Sequence, residues 1–183
     1  MKRTPRHLLP LLGLLVVTLT AAVIDRADEY EVKAAFLYNF TKFVEWPEES
    51  FAALDDPFVL AVLGEDPFDD ALDEILAGKM VGDRELVIRR YATLDEFGPS
   101  HLLFVADDFE DSLQEVLERL GSARVLTVAE FDDSVSHGVV IGFRTSGRKV
   151  RFDINAIAAE ARSLKISSRL LTLAGKVIDS EDR

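Results

Sequence analysis

Between Tyr30 and Pro47 the apolar residues recur at helical spacing. Val32, Phe36, Leu37, Phe40, Phe43 and Val44 fall on one arc when successive residues are rotated by about 100°. Glu31, Tyr38, Lys42 and Glu45 fall on the opposite arc. The pattern predicts one amphipathic helix that stops before Pro47, whose ring biases Trp46 toward an extended conformation. Burying one large apolar side chain is worth roughly 1.5–3 kcal/mol, so a face with three phenylalanines must dock on a core or on another protein. Lys33 interrupts that face one turn from its start. Its expected role is a stem laid along apolar surface with a solvated ammonium; an anion from a ligand or partner is the alternative.

From Pro57 the pattern alternates between short apolar runs and helical spacing. Phe58–Leu63 is continuously apolar and ends at Gly64, as expected of a strand buried on both faces. Asp66-Pro67 supplies an N-cap and a first-turn proline for a helix running to Ala77 and stopped by Gly78. Glu85–Tyr91, His101–Val105 and Val125–Ala129 read as further strands. A turn at Leu94–Phe97 and a helix over Phe109–Leu120, capped by Asp107 or Asp108, separate them. The rhythm then changes: Val139–Arg144 and Lys149–Ile154 flank Thr145-Ser146-Gly147-Arg148 as a hairpin. Asn155 caps a helix to Arg162, Lys165-Ile166 is an extended link, and Ser167 or Ser168 caps a final helix. In that helix Leu170, Leu171, Ala174, Val177 and Ile178 are expected to share a face, with residues 179–183 frayed. The expected fold is a single three-layer α/β domain: a mostly parallel sheet, one antiparallel hairpin and flanking helices.

The first residues carry a different signal. Lys2, Arg3 and Arg6 precede an apolar run from Leu8 to Leu19, and Thr20 and Ala22 place small residues at the spacing a signal peptidase reads. Residues 1–22 are therefore expected to be a cleaved signal peptide and 23–183 the mature domain; an uncleaved anchor is the alternative, since the run reaches Ile24. Removing residues 1–22 would move the formal charge from −12 to −15. The remaining charge is uneven. Residues 45–137 hold 24 acidic and 6 basic side chains, whereas residues 138–178 hold 8 basic and 2 acidic. Two solvated surfaces would explain this, as would a dipolar molecule that orients its encounter with a partner or membrane. So acidic a chain would be repelled by phosphate backbones, which argues against nucleic acid.

Candidate chemistry is sparse. Glu65 and Asp66 follow the first long strand, Asp107 and Asp108 the third, and Thr127 lies in the fourth. A parallel sheet brings such strand ends together, where a hard cation could bind as in a phosphoacceptor domain. Gly142-Phe143-Arg144 stands where that arrangement needs a lysine, and helix capping accounts for Asp66, Asp107 and Asp108. His101 and His137 lie in no metal-ligand spacing, and the chain has no cysteine. The expectation is no catalytic residues, no metal and no cofactor: a binding protein rather than an enzyme.

Two stretches add a resemblance. E-Y-E-V-K-A-A-F-L-Y-N-F-T-K-F-V-E-W-P, from Glu29, resembles the opening signature of the YfiR-like family, and V-R-F-D-I-N-A-I-A-A-E-A-R-S-L-K-I-S-S-R-L-L-T-L-A, from Val150, resembles its closing one. The resemblance implies an exported periplasmic regulator that represses an inner-membrane diguanylate cyclase by binding its periplasmic sensor domain, so lowering cyclic di-GMP signalling and biofilm formation. A histidine kinase as the partner, or a small-ligand binding module, are the alternatives. It implies a homodimer, with membrane contact only through the partner. Cysteine-dependent behaviour of relatives cannot apply here. The basic residues of the closing stretch suggest the contact surface: Arg162, Lys165 and Arg169 as a charged rim, with Leu164 and Ile166 as its desolvated centre; a solvated helix surface with no partner is the alternative.

Overall fold

A computed structural model describes residues 20–53, 55–146 and 149–180, with side chains from Glu29 onward. The signal segment up to Leu19, His7, the Gly147-Arg148 turn and the last three of the residues expected to fray lie outside the described residues.

The opening pattern forms helix α1, Thr20–Phe43, followed by a two-residue strand β1, Val44–Glu45. The chain then alternates as the apolar runs require: β2 Phe58–Leu63, α2 Ala71–Leu76, β3 Met80–Val81, β4 Arg84–Tyr91, β5 Leu102–Val105, α3 Leu113–Leu120 and β6 Leu126–Ala129. A hairpin of β7 (Ile141–Ser146) and β8 (Lys149–Asn155), helix α4 (Ala156–Ala161), β9 (Lys165–Ile166), helix α5 (Ser168–Leu173) and β10 (Val177–Ile178) complete it.

The eight-stranded sheet runs β10-β8-β7-β6-β5-β2-β4-β3, and the block β4-β2-β5-β6-β7 is wholly parallel. β8 is antiparallel to β7, and β3 to β4. A separate ribbon pairs β1 with β9, Val44 opposite Ile166 and Glu45 opposite Lys165. Successive side chains of a strand point to opposite faces, and β2 divides accordingly. Phe58, Leu60 and Val62 face a core shared with α1, α2, α4 and α5, while Ala61 and Leu63 face one shared with α3. This is the expected three-layer arrangement, with the central strands β2, β5 and β6 buried on both faces and the outer strands partly exposed.

The face of α1 is narrower than its periodicity suggests. Ala34, Leu37 and Phe40 are fully buried, but Val32 is 44% exposed. Phe40 is the centre of an aromatic cluster, with ring centroids 5.2 Å from Phe152, 5.7 Å from Phe143 and 5.9 Å from Phe36.

Helix starts differ from expectation in the acidic turns. Asp66 Oδ1 accepts from the Phe68 N–H at 2.8 Å, a local turn that delays α2 to Ala71. A 3₁₀ turn at Asp107–Phe109 likewise delays α3 to Leu113. The final helix is shorter than the spacing of Leu170 to Ile178 implies. It ends at Leu173, and Val177 and Ile178 instead pair in parallel with Ile154 and Asn155. Gly175 makes the break: its N–H donates to Phe152 O at 2.9 Å, and a side chain there would overlap the Arg144 guanidinium.

His101 is a structural residue, as expected. Its ring stacks between Phe51 (4.4 Å) and Phe58 (5.1 Å). Nδ1 accepts from the Val59 N–H at 3.0 Å, so Nε2 carries the hydrogen and donates to Ser50 O at 3.2 Å. Burial holds its pKa below the usual histidine value. The Ser50 carbonyl works against that, the nearby Arg84 charge adds to it, and Asp56 opposes it. The unfolded chain therefore binds a proton more readily than the folded one below about pH 6.5. Stability should fall as pH drops through that value toward the folded pKa. Melting curves at pH 7.5 and 5 test this: a His101→Gln variant should show a smaller loss than wild type, and equal losses would refute the assignment.

Candidate functional site

The surface anticipated from the sequence lies where β9 and α5 meet the end of α1. Ser167 caps α5, accepting from the Leu170 N–H at 3.3 Å, and its own N–H donates to Phe43 O at 2.9 Å. That junction, with the β1–β9 ribbon, fixes the backbone under the basic side chains.

The five residues separate. Lys165 and Arg169 are exposed, and Ile166 is half-buried beside Val44. The Arg169 guanidinium stands 5.6 Å from the Phe43 ring centre. Arg162 and Leu164 do not belong to this surface. Leu164 is 2% exposed and part of the main core. Arg162 is 7% exposed; its Nη1 donates to Gly121 O at 2.9 Å and sits 3.5 Å from Ala123 O. There it satisfies the carbonyls at the negative end of α3. Desolvation lowers its pKa from the ordinary arginine value. The charge rim thus loses one arginine and the apolar centre its leucine. The exposed residues of α5 are Ser168, Arg169, Thr172 and, one turn on from Arg169, Leu173, which is 60% exposed.

A second feature lies among the acidic strand ends. The chain leaves β2 in one direction to β4 and returns to its other side at β5, so the sheet's topological switch falls between β2 and β5. A cavity of about 470 Å³ opens there, lined by Tyr30, Glu65, Asp66, Asp107, Asp108 and Glu130 among others. Three of its carboxylates, those of Asp66, Asp108 and Glu130, are already engaged. Asp108 Oδ1 accepts from the Glu65 N–H at 3.1 Å, and Asp66 Oδ2 pairs with Arg90 Nε at 2.6 Å. Thr127 is not at this edge in the sense the phosphoacceptor comparison requires, because its hydroxyl accepts the Val140 N–H at 2.9 Å within the sheet. Among the described residues no group of acidic or histidine side chains is arranged to hold a metal ion.

Behind this cavity stands the residue that the sequence reading placed wrongly. Lys33 is 3% exposed, not snorkelling. Its ammonium pairs with Glu130 and, at 2.6 Å, with Glu29 one turn earlier on α1. It also lies 4.4 Å from the Tyr30 ring centre, and the Tyr30 hydroxyl donates to Glu130 at 3.0 Å. Burial alone would lower the Lys33 pKa, but hydrogen bonds from Glu130 and Glu29 outweigh it and the pKa is raised. The anion opposite Lys33 is thus internal. Only the polar residue inside an apolar arc hinted at it; nothing local pointed to Glu130.

These features define a small α/β domain with a buried Lys33–Glu130 pair, exposed basic residues on β9 and α5, and, among the described residues, no helix long and apolar enough to cross a membrane. The family model for YfiR/HmsC-like proteins, DUF4154, matches residues 30–175, and the chain belongs to that family. The family is regulatory rather than catalytic, and periplasmic. No individual curated protein matches the chain at a significant level.

Proposed function

We propose that this chain is a periplasmic regulator that restrains an inner-membrane signalling protein, a diguanylate cyclase, by binding its periplasmic sensor domain. The observation that carries this reading is the family match over residues 30–175. A repressor that prefers the inactive sensor conformation shifts the population toward it by the difference in its two affinities. Cyclic di-GMP synthesis then falls without any chemistry in this chain. Residues 1–22 direct export in this reading, and the mature chain acts as a homodimer. The contact surface is centred on Lys165, Ile166 and Arg169, with Leu173 supplying apolar area that water otherwise covers. Charges on such a rim mainly set the association rate.

The test is a Lys165→Glu, Arg169→Glu double variant. Both side chains are exposed, so its melting temperature should stay within a few degrees of wild type. Pull-down from solubilised inner membranes with wild type should recover a protein bearing a cyclase domain, and the double variant should recover at least about tenfold less at low salt. Recovery of a histidine kinase instead would change the partner. Equal recovery by both forms would move the interface elsewhere.

A second reading, a small-ligand module, is favoured by the cavity at the switch point, the usual ligand position in open parallel sheets. A ligand touching Tyr30 would press on α1 and so modulate release of the partner.

A further inference from the structure

A different cavity, of about 430 Å³, lies at the other end of the sheet, where the chain enters β5 and β6. Its walls are the 3₁₀ turn Glu48–Ser50, the segment from Phe97 to His101, the last turn of α3 and the loop to Val125. Phe97, Pro99, Leu120 and Val125 give it an apolar side. Two of its lining residues, Ser50 and Ser100, have hydroxyl oxygens that are buried without a hydrogen-bond partner. An unsatisfied buried polar group costs about 1–3 kcal/mol, and each one calls for a water, ion or ligand.

The cavity also carries two guanidinium groups. Arg119 and Arg124 line it, and Arg124 is steadied by donating to Glu49 O at 3.2 Å. Arg162 holds Gly121 O and Ala123 O beside the cavity and, among the described residues, forms no ion pair with a carboxylate. Glu49 is the one acidic lining residue. His101 cannot serve a ligand, since both ring nitrogens are engaged by backbone. Guanidinium groups match carboxylates with paired, charge-assisted hydrogen bonds.

We propose that this cavity binds a small organic carboxylate with an apolar body. The carboxylate meets Arg119 and Arg124, the apolar body lies against Phe97, Pro99 and Leu120, and a small shift of the Ser50 or Ser100 hydroxyl gives it its first partner. A volume of this size accommodates an aromatic or branched acid. The site is separate from the surface of Lys165 and Arg169, and the inference does not rest on the regulatory reading.

Calorimetric titration of the purified chain with phenylacetate, phenylacetamide and inorganic phosphate tests it. Phenylacetate should bind at least about tenfold more tightly than its neutral amide, the scale expected of a charge-assisted pair. An Arg119→Gln, Arg124→Gln variant should lose that preference while melting as wild type. Ser100→Ala, which removes a buried orphan hydroxyl, should weaken phenylacetate binding several-fold without lowering the melting temperature of the free protein. Equal binding of acid and amide would mean apolar filling alone and overturn the proposal. So would tighter binding of phosphate than of phenylacetate, unchanged binding in the double arginine variant, or no heat from phenylacetate at millimolar concentration.

Discussion

Replacing Phe40 with aspartate abolishes the folded domain. Phe40 is fully buried and touches the rings of Phe36, Phe143 and Phe152, so it joins α1 to both strands of the β7–β8 hairpin. Truncation to alanine alone would cost about 3–5 kcal/mol through lost burial and the cavity left behind. Aspartate adds a charge with no cation beside it, and a domain of ordinary stability has only about 5–15 kcal/mol in total. The expected result is loss of near-ultraviolet circular dichroism and of a cooperative melt at 25 °C. Phe40→Leu should stay folded with a lowered midpoint. A cooperative wild-type melt for Phe40→Asp would show that the ring cluster is not the core.

The second large effect is expected at Lys33. Lys33→Met leaves Glu130, whose side chain is 7% exposed, without its cation. Breaking a buried pair from one side costs about 3–5 kcal/mol, whereas removing both charges is often close to neutral. Lys33→Met should therefore lower stability by several kcal/mol, and Lys33→Met with Glu130→Gln should recover more than half of that loss. Chemical denaturation of the four forms measures it. Additive losses would mean that the two side chains do not act as a pair.

The same group sets an alkaline limit. The folded pKa of Lys33 is raised above its unfolded value, so the folded state holds this proton more firmly. Its contribution is fully present below about pH 10.4 and disappears as pH climbs through the folded pKa. Wild type should lose stability in that range faster than the double variant, which has no such proton to release.

The sequence made the sheet legible because strands such as Phe58–Leu63 and Leu102–Val105 are uninterrupted apolar runs that suit burial on both faces. It misled at Val177-Ile178, whose spacing from Leu170 fits a helix as well as a strand. The deciding contact, Arg144 against Gly175, is not local. It misled again at Lys33 and Arg162 for one reason. A basic residue is assigned to the surface unless its counterpart is visible, and here the counterparts are Glu130 and the carbonyls of Gly121 and Ala123, far away along the chain. Lys165 and Arg169 are exposed, where a basic residue is ordinarily expected, and Arg169 lies over the distant Phe43 ring without being buried by it.

The ribbon of β1 and β9 joins residues separated by roughly 120 positions, a closure whose entropy must be met before its contacts contribute. Because the β7–β8 hairpin that holds the Phe40 ring comes about a hundred residues later, α1 is made early and covered late. A chain emerging in order carries the Phe40 face bare until Phe143 and Phe152 have been made, and any truncation before Phe143 leaves that face without its ring partners. Until those rings meet, the exposed apolar face is the part of the chain most open to a holdase or a protease.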